Sequence, residues 1–373
     1  MTMEYQRPVD PEPPSNCKEC PFLADCGGLE GEAYDRGCFQ RCVQHCQFKW
    51  CDMACPCLHL RFAELIEDVG GLCVPPRRTL IPCSVADLPY YIPHIEHGSR
   101  REAVLVAPLV SVPLTALIRK NSRGGYVARY DTPESMRDAL RLSRGTAVIV
   151  SSIAPDQPLE DFWASHISEG TLEQLASLRL LAMTVPNFSF MLDVPRINSL
   201  YNLTRIFRMS ERISDAGIAT ILHLQASTRH DWTRWARVLR DQPKSLCVAV
   251  EFQTGARRHE TGSQYFSGLV GLQDQLGRPL RPLAVAGGCR MREFARHFTT
   301  FSVVDSTPFI KTMKRRILSN PTSGGWRSYP TDAGQSLSAL LSHNIDAHSE
   351  RLHFRAGLTS NLLRQQLLLP PAA

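Results

Sequence analysis

LLAMTVPNFSFMLD (180–193), IATILHLQAS (218–227), LCVAVEFQTG (246–255), RPLAVAGG (281–288) and FSVVDSTPF (301–309) decide the fold. Each is an apolar run that ends in a polar or glycine-rich signature. Strands covered on both faces are near-continuous in hydrophobicity rather than alternating, so these runs predict parallel strands. The intervening segments 199–217, 231–241, 262–276 and 290–297 carry apolar residues at three- and four-residue spacing, as crossover helices do. Working outward, AVLVAPLVSVPL (103–114), GYVARY (125–130) and TAVIVSS (146–152) raise the count to eight strands, with helix predicted over 133–143 and 161–180. GYVARY is short enough to belong to a hairpin or an edge instead. Eight parallel strands with helices between them predict a (β/α)8 TIM-like barrel over 76–318. A cysteine-rich region at 17–75 and a helical extension at 319–373 flank it, and 1–16 reads as a disordered leader.

Composition limits the function classes. Apolar residues make up 43 % and charged residues 21 % of the 373, and no apolar run approaches the ~18 residues of a membrane helix. The proline-rich, acidic start MTMEYQRPVDPEPPSN lacks the pattern of a secretory signal, so a cytoplasmic protein without a membrane partner is expected. A formal charge of +6, with basic clusters at 77–78, 100–101, 257–258 and 314–316, permits an anionic partner.

Nine of the thirteen cysteines are Cys17, Cys20, Cys26, Cys38, Cys42, Cys46, Cys51, Cys55 and Cys57. Such density without a secretion signal points to metal rather than disulfides. Cys17-x2-Cys20-x5-Cys26 with a further cysteine is similar to the ligand spacing of [4Fe–4S] clusters in some nucleic-acid-processing enzymes. Zinc fits as well, with His45 or His59 as additional ligands, and nine thiols are enough for two sites. A metal-stapled cap is the plain reading. Cys38-x3-Cys42-x3-Cys46 is one residue longer than the motif of radical S-adenosylmethionine enzymes, and it precedes the strands. His343, Asn344 and His348 share a predicted helix at one-turn spacing, where histidines pack or cap more often than they ligate metal.

Polar groups fall where strands end. Asp193, Gln225, Glu251, Gln253, Gly287, Gly288 and Asp305 stand at or just past the carboxyl ends of the predicted strands, which form the catalytic face of such a barrel. Two carboxylates, Asp193 and Asp305, are what chemistry at an anomeric carbon requires, one attacking or stabilising the sugar and one moving protons. An aspartate after a strand also commonly caps the next helix. Gln225, Glu251 and Gln253 match the edge of a heterocycle, and Gly287-Gly288 leave backbone amides open to a flat ligand.

In motif order, 180–316 resembles the tRNA-guanine transglycosylase family and its DNA-acting relatives, the 7-deazaguanine DNA transglycosylases. FMLDVPR stands at the DSGG-like turn, EFQTG at the VQGG-like strand end, AVAGG at the GGLAVG-like strand end and VVDST at the MFDC-like strand. The resemblance implies Asp305 as the nucleophile on C1′ and Asp193 as general acid/base or base-binding carboxylate. It also implies base contacts from Gln253 and Gly287-Gly288, with His223 and Gln225 on the strand that carries a second aspartate in the family. Val194-Pro195-Arg196 replaces the family's glycines, and its C-terminal zinc ligands are missing. The resulting expectation is an enzyme that exchanges or excises a base of DNA or RNA at the N-glycosidic bond. Arg196, Arg257, Arg258, Lys314, Arg315 and Arg316 would hold the flanking phosphates. The alternatives are a radical or redox iron–sulfur barrel enzyme and a non-catalytic, zinc-containing nucleic-acid-binding protein.

Overall fold

A computed structural model of the chain describes residues 14–39, 51, 53–83, 88–191, 194–253, 259–330, 332 and 334–358. Eight parallel strands form its centre: β1 (Tyr91–Pro93), β2 (Leu109–Pro113), β3 (Ala147–Ser151), β4 (Ala182–Thr184), β5 (Thr220–His223), β6 (Cys247–Glu251), β7 (Arg281–Val285) and β8 (Ser302–Asp305). They pair in chain order from β2 to β8, and β8 pairs with β1, giving an all-parallel, nearly closed barrel sheet with helices around it. This is the TIM-like architecture that the apolar runs predict.

The membership of the barrel differs from expectation at one strand. GYVARY is not a barrel strand: Tyr126–Ala128 pairs antiparallel with Ile118–Lys120 in a small hairpin outside the sheet. The first barrel strand is instead Tyr91–Pro93, within the proline-punctuated stretch VPPRRTLIPCSVADLPYYIPHI (74–95). It is held by β8 in the register Tyr91↔Val303 to Pro93↔Asp305. Its other seam explains why closure is incomplete. The His94 N–H turns toward β8, donating to the Asp305 carbonyl, and the Ile95 N–H turns toward β2, donating to the Ser111 carbonyl. Alternation therefore aims position 93 at β2, where proline has no N–H to give. The seam holds a single bridge, His94↔Ser111.

Side-chain alternation separates two cores. Ile92, Leu109, Ile149, Ala182, Ile221, Ala249, Leu283 and Val304 fill the barrel, whereas Val110, Val150, Met183, Leu222, Val250 and Val303 face the surrounding helices. Arg281 lies at the amino-terminal end of β7 and donates to the Leu88 carbonyl at 2.6 Å.

The helices used below are α1 (His59–Val69), α2 (Pro133–Leu140), α3 (Asp156–Ser165), α4 (Arg196–Asp215), α5 (Arg229–Asp241), α6 (His259–Leu276), α7 (Met291–His297), α8 (Thr307–Met313) and α9 (Ser338–Ala356). Local sequence sets their ends. Thr132 and Ser135 form a capping box before Pro133 at the start of α2. Gly70 and Gly357, both left-handed, close α1 and α9. The segment 161–180 is not one helix. Gly170, at φ +60°, separates α3 from a short helix at Thr171–Ala176. After α8, Arg316–Leu318 forms a hairpin with Trp326–Ser328. Among the described residues, no helix is long and apolar enough to cross a membrane.

Candidate active site at the barrel mouth

The carboxyl ends of the strands open onto a cleft of about 740 Å³. Its walls come from separate strand ends, with His94 after β1, Pro113 of β2, Ile153 after β3, Gln253 after β6 and Ser306 after β8. Arg129 and Tyr130, from the segment leading into α2, also line it.

Glu251 stands on the inner face of β6, in the same alternation as Cys247 and Ala249 inside the barrel. Asn187 donates from Nδ2 to Glu251 Oε2 at 3.0 Å, and its own Oδ1 accepts the Ala154 N–H at 3.2 Å. The carboxamide is thus held from both ends and fixes the carboxylate. Gln253, two residues on and on the same face, reaches the cleft.

His94 sits within hydrogen-bond reach of Ser111, with Nδ1 3.0 Å from Oγ. Burial pushes its pKa down to about 4, against the opposing pull of the Asp305 charge, so the ring is neutral near pH 7. His223, expected to contact a base, is fully buried on β5. Burial lowers its pKa to about 4 as well, despite the proximity of the Val185 backbone, and neither ring nitrogen makes a well-formed hydrogen bond. It belongs to the barrel interior below the cleft. Gln225 is half-buried, and its carbonyl accepts from Trp235 Nε1 at 2.8 Å.

Asp305 ends β8 on the opposite alternation from Val304, toward the helices rather than the barrel axis. Its Oδ1 accepts the Thr307 N–H at 2.7 Å at the start of α8, and its Oδ2 lies 3.0 Å from Nε2 of His348 on α9. Burial alone would raise the carboxyl, but hydrogen bonding and charge from His348, together with Thr307, outweigh it and hold it below the usual carboxylate range. Gly287 and Gly288 do not offer open backbone to a flat ligand, because both are packed. A Cβ on Gly287 would stand 2.8 Å from the Ala284 Cβ. One on Gly288 would stand 3.2 Å from Leu352 Cδ2 and 3.3 Å from Asp305 Oδ2. Gly288 lets α9 approach the barrel, and Gly287 lets α7 do so through Phe294.

The expected phosphate ligands divide. Arg196 is corrected: only 4 % exposed, it donates to Asp231 Oδ1 at 2.5 Å, Ser227 Oγ at 2.6 Å and Thr228 Oγ1 at 3.1 Å. A guanidinium committed to a buried carboxylate is not available to a phosphate. Lys314 and Arg316 are exposed and Arg315 is half-buried, but all follow α8, which runs back from the rim. Seven helical residues carry them about 10 Å from it. They do not flank the mouth. Asp193, Arg257 and Arg258 lie outside the described residues.

His343, Asn344 and His348 serve packing. His343 Nε2 lies 3.2 Å from the Leu318 carbonyl, and Asn344 bonds the Leu318 N–H, Thr312 Oγ1 and the Arg316 carbonyl. Among the described residues, no three His, Cys, Asp or Glu side chains are grouped so as to hold a metal ion. Cys42, Cys46 and His45 lie outside the described residues, as does the His59 side chain. Cys17, Cys20, Cys26 and Cys38, all thiols, border one small cavity together with Arg196. Cys55 is buried, and Cys51 and Cys57 are half-buried.

Sequence reading missed His94, Ser111, Asn187 and Arg129. The first belongs to the strand in the proline-punctuated stretch. Asn187 lies in a loop whose only signal was the polar interruption PNFS. No protein-family model matches this sequence, and no curated protein matches it either.

Proposed function

We propose that the barrel mouth acts on the N-glycosidic bond of a nucleotide in DNA or RNA, releasing or exchanging the base. One observation carries this reading: a carboxylate, Glu251, fixed by Asn187 on the inner face beneath a cleft that Gln253, His94 and Arg129 line. A carboxylate at the sugar, carboxamides for a heterocycle edge and a cation for a phosphate are the groups that this chemistry needs. Glu251 attacks C1′, the base leaves with the bonding electron pair, and water or an incoming base then displaces the carboxylate. A base within a duplex must first be flipped into the cleft.

Asp305 is the nucleophile that the family resemblance implies. To attack a sugar in the cleft it would have to give up His348 and cross from the outer to the inner face of β8. In the reading proposed here it remains the anchor of α9. The test is base release from mixed nucleic acids, followed by mass spectrometry. Wild type should release a base, and Glu251→Gln should lose release by about 100-fold or more while still binding the polymer. Full release by Glu251→Gln rejects the assignment. Binding without any release by wild type favours a protein that only binds nucleic acid.

A further inference from the structure

The cleft lies to one side of the barrel axis. All of its walls except Gln253 and Ser306 come from residues 94–153, at or after the ends of β1, β2 and β3. Glu251 stands on β6, opposite β2 in the ring of eight strands. A nucleophile enters on the side of C1′ away from the bond that breaks, so a base displaced by Glu251 leaves toward the β1–β3 side. His94, three places round the ring from Glu251, is the group that follows β1 on that side.

Local structure decides which ring nitrogen of His94 carries its proton. The His94 backbone is pinned by its N–H, bonded to the Asp305 carbonyl at 3.3 Å, and Nδ1 lies 3.0 Å from Ser111 Oγ. Ser111 is fully buried, and among the described residues its hydroxyl meets no other acceptor. A hydroxyl hydrogen without an acceptor in the interior costs about 1–3 kcal/mol, so the hydroxyl donates to Nδ1 and the imidazole proton sits on Nε2. Nε2 has no partner among the described residues, and the ring lines the cleft. Burial keeps the ring neutral near pH 7, opposed only by the charge of Asp305 on β8. The other titratable groups of the cleft, Glu96, His97, Arg129 and Tyr130, do not shift it. His94 therefore offers the cleft one uncharged N–H donor.

A lone donor selects by what faces it. It bonds a ring carbonyl, whereas an amino group at the same edge presents hydrogens of its own and leaves both donors unpaired. We infer that His94 Nε2–H bonds a carbonyl oxygen of the departing base, so that the mouth acts on keto bases such as uracil and hypoxanthine in preference to their amino counterparts cytosine and adenine. This rests on the glycosidic reading of the mouth. As the Glu251 oxygen bonds C1′, the C1′–N bond breaks, and its electron pair spreads through the base to that carbonyl oxygen, where the bond from Nε2 strengthens. The imidazole keeps its proton, and the base takes one from water on release. Ser111 is a positioning residue, which acts by holding the proton on Nε2.

The test follows base release from single-stranded DNA and RNA carrying uracil, cytosine, hypoxanthine or adenine, beside nitrogen-15 spectra of the histidine-labelled full-length protein. Wild type should release keto bases at least about 100-fold faster than amino bases, at a rate that does not rise between about pH 8 and pH 6. His94→Ala should lose about 100-fold in release and still bind the polymer. Ser111→Ala should mix the two ring tautomers of His94 and slow release, which lost packing alone would not do. Equal release of keto and amino bases, full release by His94→Ala, or a wild-type His94 proton on Nδ1 overturns the inference. Where wild type releases none of these bases, free base decides: hypoxanthine should shift the His94 Nε2 resonance and adenine should not, and equal or absent shifts overturn the inference. A wild type that binds hypoxanthine in this way but releases no base from any nucleic acid fails the glycosidic reading alone.

Discussion

At the scale of single residues, the face on which a side chain stands decides its role. Val304 and Asp305, neighbours on β8, face the barrel interior and the helices by alternation, and Ser306, past the strand end, turns into α8. Ser306 lines the cleft, and Asp305 holds α9 through His348. Asp305→Asn should therefore lower thermal stability by about 1.5–3 kcal/mol, the worth of a hydrogen bond to a charged group, while base release per folded molecule persists. Differential scanning calorimetry beside the release assay checks both halves, and loss of release at unchanged stability would return Asp305 to the chemistry. Buried histidines give a second prediction. His94 and His223 both have pKa values pushed down to about 4, while the unfolded chain titrates near 6.5. Between those values the unfolded state binds more protons, so stability is complete above about pH 6.5 and is lost as pH falls toward 4. Each contributes on the order of 3 kcal/mol to that loss. His223→Leu, which cannot charge, should flatten the acid limb of urea unfolding; an identical limb would refute the coupling.

Among the secondary-structure elements, α4 joins its neighbours through buried arginines. Arg196 at its start binds Asp231 of α5, and Asp231 also receives the Thr228 N–H, in a capping box, and Arg234. Asp231 is wholly buried, so Arg196→Ala strands a carboxylate that Arg234 alone compensates. A loss of about 3–5 kcal/mol is expected from chemical denaturation, and a loss below 1 kcal/mol would show that Arg234 suffices. Farther along, Arg205 bonds Glu160 of α3 through both terminal nitrogens, at 2.8 and 2.6 Å, and its guanidinium carbon stands 3.8 Å from the Phe188 ring centroid. Lysine reproduces neither the fork nor the planar stacking, so Arg205→Lys is destabilising despite the conserved charge. The elements also show what sequence makes legible. Strands β4 to β8 were readable because burial on both faces leaves continuous apolar runs. β1 was not, since three residues ending in proline carry no period and owe their place to β8. Tyr126–Ala128 had the composition of a strand, which a surface hairpin uses equally well. Glu251 and Gln253 were legible as polar groups closing an apolar run, whereas the outward turn of Asp305 depends on a register that composition does not encode. His94 was missed along with its strand.

For the whole molecule, the barrel gives one polar mouth, and distance from it separates surface charge from substrate contact. Lys314 and Arg316 stand behind α8, so neutralising both should leave the salt slope of nucleic-acid binding unchanged, whereas Arg129→Ala should reduce it by about one. Fluorescence anisotropy over a salt series distinguishes the two, and the reverse pattern would move the polymer to the other face. The central claim is that Glu251 attacks the sugar. Its most direct test is capture of the glycosyl-enzyme with a 2′-fluoro-substituted nucleic acid, which slows the second displacement, followed by tryptic peptide mapping. The account predicts an adduct on the peptide 245–257, at Glu251. An adduct on 297–311, at Asp305, or release of base with no adduct on either peptide, would contradict it.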